Sequence, residues 1–300
     1  MTAQAFGDEH TRKKLETVER YLSAFTTALK RQNFELLYVD ACAGSGSSIP
    51  RSALGVSDNS TGQSLLLEPY EPMADTDQII LGSAIRALNV KPPFDKYLFN
   101  DVKKANVTAL RSRVESEFKH LQSRVTITQF DANKMLLHLC RNTDWKSTRA
   151  VVFIDPFGLQ IKYETLVELA STKAVDLWYL VPVFAMYRQV RGDGAVLEDG
   201  GRSVDEAFGS DDWRHVVAIE EKGQMDLFGA SQTVSKRAVD VKWFEKFAID
   251  RLKLAFDGRV VDQVLPLGRN GLHEFSLIFA WANPSEKAEL AAKLAKAVLK

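Results

Sequence analysis

Four short apolar runs in this chain each stop abruptly at an aspartate, and helix-patterned stretches fill the intervals between them. Glu35–Val39 ends at Asp40, Lys96–Asn100 at Asp101, Arg124–Phe130 at Asp131, and Ala150–Ile154 at Asp155. The fourth run is apolar throughout, as a strand covered on both faces should be. A fifth run, Val175–Val183, follows one more helical stretch. Strands alternating with helices make a parallel sheet covered on both faces, with ligands beyond the carboxyl ends of the strands. One strand-end carboxylate means little, because carboxylates favour helix N-termini anyway. Four, spaced 61, 30 and 24 residues apart, place a row of acceptors along the ligand edge.

The remaining pattern completes an α/β fold. Leu15, Val18, Leu22, Phe25 and Leu29 recur at helical spacing in an opening amphipathic helix. Ser47 to Asp77 reads as an extended loop, followed by a helix to Leu88. Ala132–Cys140 reads as a short helix, and another begins near Tyr163. Val241, Phe244, Ala248, Leu252 and Ala255 mark a late helix. Val260–Leu265 and His273–Trp281, joined through Gly268–Gly271, are too closely connected for a parallel crossover and must pair antiparallel. Asn283-Pro284-Ser285-Glu286 supplies N-cap, proline and N3 acid for a last helix. The expectation is a Rossmann-like seven-stranded, mostly parallel sheet with an antiparallel last strand, in one domain over residues 1–300. Residues 188–235, polar and Gly-rich, interrupt it after strand five as a lid or recognition insertion whose Phe208 and Trp213 anchor an interface.

Composition narrows the function. Only Cys42 and Cys140 occur, so neither a disulfide framework nor a cysteine zinc site is expected. The N-terminus carries no apolar signal core and no run reaches the length of a membrane span, which points to the cytoplasm. With 39 basic and 39 acidic residues, the chain lacks the basic surplus of a dedicated nucleic-acid binder. A third glycine is missing at Ile49, and no Gly-Lys-Ser/Thr follows the turn after Asp40. The dinucleotide fingerprint and the phosphate-binding loop both fail there, and with them the dehydrogenase reading.

The turn itself, Val39-Asp40-Ala41-Cys42-Ala43-Gly44-Ser45-Gly46, resembles motif I of class I methyltransferases. That resemblance implies S-adenosylmethionine, wrapped by Asp40, Ala41, Gly44 and Gly46. Asp101 would grip the ribose hydroxyls, and Asp131-Ala132 the adenine. Asp155-Pro156-Phe157-Gly158 is similar to the Asp/Asn/Ser-Pro-Pro-aromatic element of methyltransferases acting on exocyclic amines of nucleobases. It departs from that element where Phe157 replaces the second proline, and in this resembles the tRNA guanine-N2 dimethyltransferases. The implied catalytic residues are Asp155, Pro156 and Phe157.

Together with His10-Thr11, Lys14-Leu15 and the run Val175–Pro182, these segments resemble the three-Cys-motif partner proteins, along essentially the whole chain. That implies a protein partner bearing a three-cysteine, radical-SAM-like motif. His10 and Lys14, one helical turn apart, and Arg188 at the head of the insertion are assigned to substrate or partner. Two readings stand side by side: a methyltransferase acting on DNA or RNA, and a catalytically inactive methyltransferase-like module that serves its partner.

Overall fold

Successive residues of a strand face opposite sides of a sheet, and the run Leu36–Val39 uses both. Leu36 and Tyr38 enter one half of the core, while Leu37 and Val39 enter the other. The computed structural model describes residues 6–48, 80–225, 231–269 and 271–300. Its strands are β1 (Glu35–Asp40), β2 (Ser47–Ser48), β3 (Ile80–Leu81), β4 (Lys96–Asn100), β5 (Val125–Thr128), β6 (Thr148–Ile154), β7 (Val175–Val181), β8 (Ala218–Met225), β9 (Ser231–Arg237), β10 (Leu265–Leu267) and β11 (Phe275–Trp281). Its helices are α1 (Phe6–Leu29), α2 (Ser83–Asn89), α3 (Lys104–Glu117), α4 (Ala132–Asn142), α5 (Tyr163–Ser171), α6 (Val183–Tyr187), α7 (Glu198–Phe208), α8 (Val241–Ala255) and α9 (Glu289–Val298).

The main sheet has seven strands in the order β10-β11-β7-β6-β1-β4-β5. β5, β4, β1, β6 and β7 are mutually parallel, and β11 runs antiparallel to both β7 and β10. This is a class I, methyltransferase-like Rossmann fold, read from its own strand order. Residues of α1, α2, α3 and α9 pack on one face, and those of α4, α5, α7 and α8 on the other. Because β11 is reversed, its first residues lie at the carboxyl edge of the parallel strands, with Ser276 opposite Val181.

Several boundaries differ from the sequence pattern for identifiable reasons. β5 stops at Thr128 because the Asn100 side chain takes both backbone groups of Phe130, accepting from its N–H and donating to its carbonyl, each at 3.0 Å. β7 stops at Val181 because Pro182 has no N–H to give the ladder, and the chain turns into α6. Val260 keeps only an isolated bridge to Ala280. The regular edge strand comes later, at Leu265–Leu267, after Asp262 has turned to Lys253 and Gln263 to the Leu299 carbonyl. Asn283 accepts from the Ser285 N–H at 3.0 Å as a local turn, so the last helix begins at Glu289 rather than at Pro284. Residues 49–77 of the expected loop and Asn270 of the late turn lie outside the described residues.

The stretch 188–235 is more structured than its composition implies: it carries α7 and the β8–β9 ribbon. Phe208 and Trp213, expected as interface anchors, are instead buried in the main core. The Trp213 ring meets Phe244 edge-on at 5.9 Å, and its Nε1 donates to Asp205 at 2.8 Å. Large aromatic rings bury too much apolar area to be left waiting for a partner, and here α8 covers them.

Candidate functional site

The sequence places a row of acids at the strand ends, and the structure shows what each one holds. Asp40 is fully buried at the end of β1. Its Oδ1 accepts from the Cys42 N–H at 3.2 Å, and Ser83 at the start of α2 donates to its carboxyl group. Burial, with the nearby Asp155 charge adding to it, pushes Asp40 up to about 7 despite those hydrogen bonds. The next residues turn back through Gly44, at φ +62°, and Gly46, at φ +84°. A side chain at Gly46 would run into Ile85 and Leu110, whereas a Cβ on Gly44 would meet nothing within 4 Å among the described residues. The turn is thus packed from behind and open in front.

Asp101 closes the turn from the neighbouring strand. Its Oδ2 accepts from the Gly44 N–H at 3.0 Å and its Oδ1 from the Lys103 N–H at 2.7 Å. A carboxylate has about four acceptor sites, so roughly half its capacity remains for a ligand. Asp131 is exposed and caps α4 through the Lys134 N–H. Around these acids stand apolar side chains with no cover among the described residues: Val102 is 65% exposed, Phe130 58% and Phe157 77%. Ala41 is buried and accepts from Asn100 Nδ2 at 3.2 Å, while Ala132 is half-buried at the head of α4.

Asp155 carries the largest surprise. Lys14, 141 residues earlier on α1, places its Nζ 2.5 Å from Asp155 Oδ2, with both side chains mostly covered. Two residues assigned separately from the sequence are therefore one contact. His10 does not join them: its Nδ1 accepts from the Gly268 N–H at 3.3 Å, on the β10–β11 connection. Pro156 is buried, and its carbonyl accepts from the Gly158 N–H at 3.0 Å, which bends the turn tightly and pushes Phe157 outward. Arg188 is exposed just after α6.

No family model matches this chain, and no curated protein matches it. Solved structures give loose likenesses only. Protein LPL1258 from Legionella pneumophila is 13% identical at a TM-score of 0.39, covering 83% of this chain and 93% of its own. A putative S-adenosylmethionine-dependent methyltransferase from Listeria monocytogenes is 11% identical at 0.37, covering 89% and 98%. An S-adenosylmethionine-dependent methyltransferase from Clostridium acetobutylicum is 10% identical at 0.35, covering 90% and 92%.

Two positions were not singled out from the sequence. Asn100 is buried and ties three strand ends together through Ala41, Thr128 and Phe130. Asn133, also buried, accepts from the Lys162 N–H and the Thr165 hydroxyl and donates to the Gln160 carbonyl. It anchors the loop after Asp155 to α4. An asparagine close to two of the four strand-end aspartates, Asp101 and Asp131, was the available signal, since a buried amide must be fully bonded. Cys42 sits among Asp40, Asp155 and Asp101; burial first, then those charges, raise its thiol far above the usual range and leave it inert. Among the described residues no helix is long and apolar enough to cross a membrane.

Proposed function

We propose that this chain transfers a methyl group from S-adenosylmethionine to an exocyclic amine of a nucleobase, together with a three-Cys-motif partner protein. The observation that carries the reading is the Asp155 carboxylate holding an amine nitrogen at 2.5 Å, beside the exposed ring of Phe157. A target amine would have to take the place that the Lys14 ammonium holds on this carboxylate. When bound, the cofactor supplies an electrophilic methyl group on its own sulfonium. Gly44 leaves backbone open to it, Asp101 keeps acceptor sites for ribose hydroxyls, and Asp131-Ala132 with Val102 border the adenine.

The chain's work is then to position the acceptor. Asp155 accepts an N–H of the target amine, and the second lone pair of the Pro156 carbonyl accepts the other. Phe157 stacks on the base. Holding both N–H groups keeps the nitrogen lone pair aimed at the methyl carbon, which is an orientation effect. Asp155→Ala should lower single-turnover methylation about a hundredfold or more, as loss of a transition-state contact does. Cofactor affinity should stay within a few-fold, and Asp155→Asn, which keeps an acceptor oxygen, should be milder. The assay is run with the partner on total nucleic acid, with mass spectrometry of the methylated base. Normal turnover in Asp155→Ala would overturn the catalytic role.

The Lys14–Asp155 pair also favours a second reading. If that pair serves only to hold α1 on the sheet, the chain is a module that serves its partner without methyl transfer. Asp155→Ala would then lower stability and leave no reaction to lose.

A further inference from the structure

Beyond the acids, the same sheet edge carries aromatic rings that are each faced by a cation. Lys103 Nζ lies 5.3 Å from the Phe157 ring centre, Arg188 6.0 Å from Phe184, and Arg237 3.8 Å from Tyr187. Phe184 and Tyr187 stack on each other at 5.8 Å, with 28° between their planes. Phe157 follows β6, and Phe184 and Tyr187 follow β7, its hydrogen-bonded neighbour. Three of the six such contacts among the described residues lie at this one edge. None of Lys103, Arg188 and Arg237 makes an ion pair among the described residues, unlike Arg202, Arg214 and Arg259. Arg237 is fixed by donating to the Val190 carbonyl and the Tyr187 hydroxyl, so its guanidinium is pre-set rather than free.

Cations that meet no acid among the described residues, set among partly exposed rings, match the chemistry of an unpaired nucleic-acid strand. Phosphates meet the cations, and bases stack on the open Phe157 ring and, by displacing the loosely held Arg188, on Phe184. A protein partner's apolar patch would not call for three uncompensated charges. We propose that the turn after β6 and α6 after β7 form a binding surface for single-stranded nucleic acid, leading a base towards Asp155. This deepens the methylation reading and rests on it only for the destination of the base. The chain's zero net charge means that affinity comes from this local surface rather than from a diffuse basic field.

The test is fluorescence anisotropy with a labelled single-stranded RNA of roughly twelve nucleotides, the same sequence as DNA, and its duplex. No cofactor is added, so the outcome does not depend on methyl transfer. Single strands should bind at about 50 mM salt and weaken steeply by about 200 mM. Arg188→Glu should weaken binding about tenfold and lower the slope of log K against log salt by about one. Phe184→Ala should weaken it about fivefold with the slope unchanged. Lys146→Glu, a charge reversal just before β6 at the opposite sheet edge, should change nothing, and melts should show each variant folded. The surface is overturned by no binding of either single strand, by Arg188→Glu binding with the wild-type slope, or by duplex binding as tight as single strand. RNA or DNA binding alone supports it and names the source. Binding here, with no methylated base formed in the separate assay with cofactor and partner, supports the surface and overturns the catalytic reading.

Discussion

Asp40 and Asp176 are the two carboxyl groups that burial pushes up to about 7. Asp176, at the start of β7, accepts from the Tyr21 hydroxyl at 2.6 Å, at the far end of the sheet from the site. A folded-state value above the unfolded one means that the folded chain holds the proton over a range where the unfolded chain has released it. Stability therefore falls as pH rises from about 4 to about 7, by no more than about 1.4 kcal/mol per pH unit for each group. Asp176→Asn keeps an acceptor for Tyr21 and removes one of the two slopes. Thermal melts from about pH 5 to about pH 8 should show a shallower decline in the variant; identical declines would mean Asp176 is not protonated in the fold. At this scale the sequence was informative about identity and silent about pairing. The aspartates could be read because each ends an apolar run, but Lys14 on Asp155 depends on where a helix 141 residues away comes to rest, and no local pattern encodes that.

Among elements, those with a clear apolar pattern were legible nearly to the residue: β4, β6 and α8 lie where that pattern places them. Boundaries set by a single side chain were not, as Asn100 ending β5 illustrates. The stretch 188–235 misled because glycine and acid dominate its composition, while Val204, Ala207 and Phe208 on α7 still form a buried helical stripe. α7 and Trp213 within it belong to the core, with a consequence for stability. Trp213→Ala should cost ~3–5 kcal/mol, as large aromatic truncations in cores do, and lower the denaturation midpoint of the whole chain. A change under ~1 kcal/mol would restore the picture of a loosely attached lid.

Across the whole molecule, the strand order collects five separate stretches of sequence at one edge: the turn at Gly44, Asp101, Asp131, the turn at Asp155, and α6. α1 crosses to that edge as well, held by Tyr21 to Asp176 and by Glu19 to Arg86. The first four were readable as strand ends. The fifth was not singled out, because α6 is one short turn of helix with too few residues to show a pattern of its own. The proposed methyl transfer requires this edge to be a cofactor crevice, and calorimetry with S-adenosylmethionine and its demethylated product tests that directly. Binding to the wild type is predicted, with loss in Gly44→Trp, whose side chain would enter the space before the turn; because Gly44 sits at φ +62°, a thermal melt must first show the variant folded. No heat from either ligand on folded wild-type protein, or undiminished binding in Gly44→Trp, would contradict it.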